Sequence, residues 1–78
     1  MALEPRDRAA EERHLAAANW HIAKWEEWVA RQQKLIERLI VGGRDTTDAE
    51  RQLSNFDDRL DNARAHRQLI LRRLAQGF

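Results

Sequence analysis

"IVGGRDTTDAERQL", residues 40–53, holds the interior point at which this chain is built to reverse. Gly42 and Gly43 stand side by side, followed by Asp45, Thr46 and Thr47. Glycine supplies backbone conformations that other residues avoid, and the oxygens of Asp and Thr compete for nearby backbone N–H groups. Thr47 and Glu50 have the capping-box spacing, in which the hydroxyl takes the N–H three residues on and the carboxylate reaches back. Upstream, Arg6 to Val41 contains neither Gly nor Pro and is rich in Ala, Glu, Arg, Lys, Gln and Leu, all strong helix formers. Pro5 stands where its missing N–H costs nothing, at a first helical position. The expected chain is one helical-hairpin domain over 1–78: a helix over about 5–41, a turn over 42–47 and a second helix over about 48–75.

A chain of 78 residues is in the range where one core is marginal unless disulfides, a metal or a second subunit add to it. It has no cysteine, which excludes disulfides and a thiolate zinc site and leaves oligomerisation as the supplement. The 14 Lys and Arg nearly cancel the 13 Asp and Glu, the balance of a solvated helical surface and not of a polyanion binder. No apolar run is long enough for a membrane span, and the N-terminal stretch is polar from Glu4 onward, so neither a span nor a signal peptide is expected. A cytoplasmic location follows as the default.

Both predicted helices carry an apolar heptad. In the first, Leu15, Ile22, Val29 and Ile36 fall at a, and Ala18, Trp25, Gln32 and Leu39 at d. In the second, Leu53, Leu60, Arg67 and Leu74 fall at a, and Ala49, Phe56, Ala63 and Ile70 at d. A short turn forces the helices antiparallel. Matching large side chains to small ones sets Trp25 opposite Ala63, Ala18 opposite Ile70 and Leu39 opposite Ala49. The same register brings Glu26 near Arg64, Trp28 near Arg59, and His21 beside His66. Arg67 at a and Gln32 at d, the latter facing Phe56, read as polar positions that fix register.

Trp20, Trp28, Leu35, Ile40, Val41, Leu69 and Leu71 fall outside the seam, so the apolar surface is wider than one helix pair covers. A twofold homodimer forming a four-helix bundle would cover it, with Trp20, Trp28, Leu35, Leu69 and Leu71 as the self-association or partner surface. An unidentified protein docking on the same stripe is the other way to cover it.

Chemistry is sparse. His14, His21 and His66 with Glu11 or Asp7 hold metal-ligand types, but histidines at flank positions serve as amphipathic cover more often than as ligands, so no metal is expected. A His21 and His66 pair would repel when protonated, which predicts mild acid sensitivity. Ser54 has no evident base partner, and "GGR" lacks phosphate-loop spacing, so the chain reads as no enzyme, with no cofactor and no small-molecule substrate. After Asp61 come Arg64, Arg67, Arg72 and Arg73 with His66 and no acidic residue. This possible basic patch is the basis of the alternative reading, a small nucleic-acid-associated regulator. Against it, Glu4, Asp7, Glu11 and Glu12 lie alongside in the antiparallel register, which makes nucleic acid the less favoured partner. No membrane partner is expected.

The segments "HIAKWEEWVARQQKLIERL", "GGRDTTDAERQLSNF" and "RLDNARAHRQLILRRL" together resemble a group of short uncharacterised proteins predicted in alphaproteobacterial genomes. The shared pattern is a histidine-led first helix, an A-R-Q then L-I-x-R-L segment, a G-x-D-T turn and a late H-R, over about residues 14–74. This chain departs from it at Arg44, where a histidine is common, and at Trp25 and Trp28, where smaller or charged residues are usual. The resemblance implies a helical hairpin and carries over no catalytic residue. The expectation for function is a non-enzymatic hairpin acting by self-association and protein–protein interaction.

Overall fold

The computed structural model describes residues 4–76. Helix α1 runs Pro5–Val41 and helix α2 runs Thr47–Gln76. They pack against each other as an antiparallel hairpin, a rod with extents of 58 × 15 × 13 Å. Its length is that of α1 alone, since 37 residues at about 1.5 Å per residue span about 55 Å.

The helix boundaries follow from local chemistry. Pro5 opens α1 behind an extended Glu4, and Asp7 in the first turn complements the positive end of the helix dipole. At the other end the chain closes a Schellman motif. Gly43 N–H donates to the Ile40 carbonyl at 3.0 Å and Arg44 N–H to the Leu39 carbonyl at 2.8 Å, which satisfies carbonyls that the helix end leaves open. Gly43 has φ +66°, the left-handed conformation that this motif demands.

Helix α2 begins differently from the expected capping box. The Thr47 hydroxyl does not accept an N–H. It donates to Asp45 Oδ1 at 2.7 Å, and Thr47 N–H donates to the same oxygen at 3.0 Å. The Asp45 carboxylate accepts from both Thr47 groups in an Asx turn, so Asp45 and not Thr47 caps the start of the helix. Glu50 N–H donates to the Thr46 carbonyl at 2.8 Å, which starts the helical ladder.

The heptad seam is where the chain loses its exposure. Ala18, Ile22, Leu60 and Ile70 are buried, Ile70 most completely at 1% exposed. Leu15, Trp25, Val29, Gln32, Ile36 and Leu39 of α1 are partly buried, as are Ala49, Leu53, Phe56, Ala63 and Leu74 of α2. Arg67 is the one exposed a position, its head in solvent as a long basic stem allows.

Register is corrected by the contacts. Trp25, expected over Ala63, lies against Phe56 with ring centroids 5.9 Å apart. Gln32, expected at Phe56, donates its amide to the Ala49 carbonyl at 2.9 Å. Each partner is one heptad nearer the start of α2 than volume matching put it. Arg59 lies over the ring of Trp25 and not of Trp28. The expected Glu26 and Arg64 pair does form, at 3.6 Å. Both observed pairs are still d with d, so volume matching misplaced the partner along α2 and not around it.

Candidate interaction surface

Of the side chains outside the seam, Trp28 lies at the level of Trp25 and Phe56. Trp28 also meets Phe56, with centroids 6.0 Å apart, so Phe56 is held between two indoles at favourable tilted geometry. Each tryptophan carries a cation. Lys24 stands 5.5 Å from the Trp20 centroid, Arg31 5.5 Å from that of Trp28, and Arg59 5.4 Å from that of Trp25. At exposed sites such contacts contribute about 0.5–1 kcal/mol each. They come from i+4 and i+3 spacing on α1 and from the opposite helix at Trp25.

Beside these rings runs an open groove of about 680 Å³, floored by Trp25 and Phe56 and edged by Asn55, Asp58, Arg59 and Asn62. Its polar edge comes from one face of α2, since residues 55, 59 and 62 recur at helical spacing. That amide-rich edge went unremarked in the sequence, where Asn and Gln at three- and four-residue spacing were the available signal.

The proposed surface residues divide by exposure. Trp20 is 58% exposed, Leu69 49%, Trp28 47% and Leu35 39%. Leu71 is partly covered by the hairpin itself. Ile40 and Val41, also exposed, lie in the last turn of α1. Lys24, Trp28, Arg31, Leu35 and Arg38 follow one another at four- and three-residue steps, which makes a single exposed stripe alternating cation and apolar group.

The basic residues of α2 are partly engaged. Arg64 pairs with Glu26 at 3.6 Å, and Arg73 approaches Glu11 at 3.8 Å, whereas Arg67 and Arg72 are exposed without an ion pair among the described residues. Glu11 is the acidic group drawn furthest in, its side chain 13% exposed. Oε1 meets His14 Nδ1 at 3.1 Å, while Oε2 is buried with no hydrogen-bond partner. His21 packs edge-on against Trp20 with centroids 5.2 Å apart. Among the described residues no three His, Cys, Asp or Glu side chains come together as a metal site. Asp45 is held below the usual carboxylate range, first by the hydrogen bond from the Thr47 hydroxyl and then by the one from the Thr47 backbone N–H.

No described helix is long and apolar enough to cross a membrane. No protein-family model matches the chain, and neither a curated protein nor a solved structure shows significant similarity to it.

Proposed function

We propose that the chain is a non-enzymatic helical hairpin that works through self-association and protein–protein contact. The observation that supports this reading is the imbalance between its core and its apolar surface. Among the described residues four apolar side chains are buried, while six large ones, two of them tryptophans, remain substantially exposed. Exposed aromatic side chains ringed by polar groups are what protein interfaces use as anchors, and a hairpin this thin gains stability by covering them. Trp28, which meets Phe56 at the groove, is the central anchor, with Leu35 two turns on and Trp20 and Leu69 further out.

Nucleic-acid binding by Arg64, Arg67, Arg72 and Arg73 is the weaker reading, because carboxylates on α1 engage two of the four. Sedimentation equilibrium over a concentration series tests the proposal. A species of twice the 9.2 kDa chain supports self-association. A monomer throughout removes it.

A further inference from the structure

The near neutrality of the chain is an average over two unlike flanks. Glu26 and Arg64 meet across one flank of the helix seam. Trp28, two residues on from Glu26, falls on the other, where it meets Phe56 beside the groove. Helical spacing from these markers sorts the remaining exposed charges. Glu12 and Glu37 of α1 and Glu50, Asp57 and Asp61 of α2 fall with Glu26, so that flank sets six carboxylates against the guanidinium of Arg64. On the groove flank stand Lys24, Arg31 and Arg38, seven residues apart on α1, with Arg59 and Arg73 on α2. Over the stretches 24–38 and 52–73 the nearest acidic residues to it are Glu27, on its outer edge, and Asp58, on the groove rim.

The cationic flank also holds the exposed rings. Trp28 is 47% exposed, and Trp20, about 12 Å back along α1, is 58% exposed toward the outer edge. Arg31 lies at the first ring and Lys24 at the second, each 5.5 Å from the centroid. A flat face and a positive charge are thus offered side by side, twice. The groove is floored by Trp25 and Phe56, carries Arg59 on its rim, and is edged by Gln52, Asn55 and Asn62. Those amides both donate and accept hydrogen bonds.

Each of these features narrows the occupant. The charge calls for an anion. The rings call for flat partners, which an acidic peptide does not bring, and the amides call for polar edges, which the interior of a lipid surface lacks. A nucleic-acid duplex has both, but keeps the faces of its bases inside its own stack, whereas a single strand presents bases and phosphates together.

We infer that the groove flank of the hairpin is a binding site for single-stranded nucleic acid, with bases stacked on Trp28 and Trp20 and phosphates held by Lys24, Arg31 and Arg38. This site is distinct from the basic stretch of α2 and does not rest on self-association. A strand and a second copy would both cover Trp28, so each excludes the other.

Fluorescence anisotropy of a labelled oligothymidine of about 16 nucleotides, titrated with the full chain at about 50 mM salt, tests the site. Binding is expected with a slope of log affinity against log salt near −2, about −0.7 for each of three phosphates. Arg31→Gln/Arg38→Gln should weaken it about tenfold or more and bring the slope to about −0.7. Trp28→Leu, apolar but without a stacking face, should weaken it about tenfold. Arg67→Gln/Arg72→Gln, away from this flank, should change it by less than about twofold. Far-UV circular dichroism checks that each variant keeps its helices, and the exposed arginine pair decides should the tryptophan variant unfold. A chain that binds no oligothymidine, that binds a duplex of the same length equally well, or whose losses follow Arg67 and Arg72 instead of Arg31 and Arg38 overturns the site. So does undiminished binding by a folded Trp28→Leu variant. Capture by anionic phospholipid vesicles without binding of oligothymidine assigns the flank to a membrane surface and overturns it as well.

Discussion

The half of the rod toward the open end and the half toward the turn are built from the same heptads with different side chains, and they finish differently. Toward the open end the seam carries Ala18, Ile22 and Ile70, and all three are buried by the hairpin alone. Toward the turn it carries Trp25 and Phe56, which stay partly exposed, with Trp28 47% exposed beside them. Small and aliphatic side chains let two helices approach closely enough to exclude water from both. An indole is wider than the gap between two helices, so part of each ring is left outside. In one half the seam is closed by two helices, and in the other the seam itself keeps aromatic surface in solvent.

The sharpest way to break this contrast is to cut into the closed half. Ile70→Ala removes the most buried side chain of the hairpin and should cost about 3–4 kcal/mol, a large share of what so small a domain has, read by urea unfolding. Trp28→Ala should do the reverse. It should shift the sedimentation mass toward the monomer while changing the stability of the hairpin itself by less than about 1 kcal/mol. A drop in stability with no change of mass would mean that the aromatic half is core after all.

Smaller effects belong to the turn. Gly43→Ala forces a β-carbon into the left-handed region and should cost about 1–2 kcal/mol, although nothing stands within 4 Å to clash with it. Gly42→Ala is the control. Its φ of −80° suits an L-residue and its added carbon meets ordinary contacts, so thermal unfolding should be unchanged or slightly higher. The smallest effect is Asp45. Its folded pKa is depressed, so its contribution is present above the unfolded value of about 3.9 and fades as pH falls through the lower folded value. Asp45→Asn should flatten that acid limb slightly and leave the melting temperature near neutral pH lower by a few degrees at most.

How far these features were legible in the sequence depends on the kind of information each needs. Heptad periodicity is a property of the chain itself, so the buried and partly buried seam could be read directly, including Arg67 as the position that opens to solvent. Register depends on both helices at once. Volume matching placed Trp25 over Ala63 because an alanine looks like a socket, whereas the ring lies against Phe56. The Thr47 cap failed because the Glu50 N–H goes to the Thr46 carbonyl, which the local Asp45 turn sets up, and not to the Thr47 hydroxyl. Exposed tryptophans could be anticipated from their place outside the seam. The Asn55 and Asn62 edge of the groove could not, since amides recur on solvated helices without marking a site.

The turn described above also sets a timetable. Its Schellman and Asx bonds join residues only a few positions apart, so they can form before any contact between the far ends of the helices. Closure then proceeds like a zip from the turn, each heptad shortening the loop that the next must close. Glu11 and Arg73 meet last, and because their bond is long and one carboxylate oxygen lacks a partner, they are also the first to part. Amide hydrogens should therefore exchange fastest at the open end, and mutations near the turn should act on the folding rate while those near Glu11 act on unfolding.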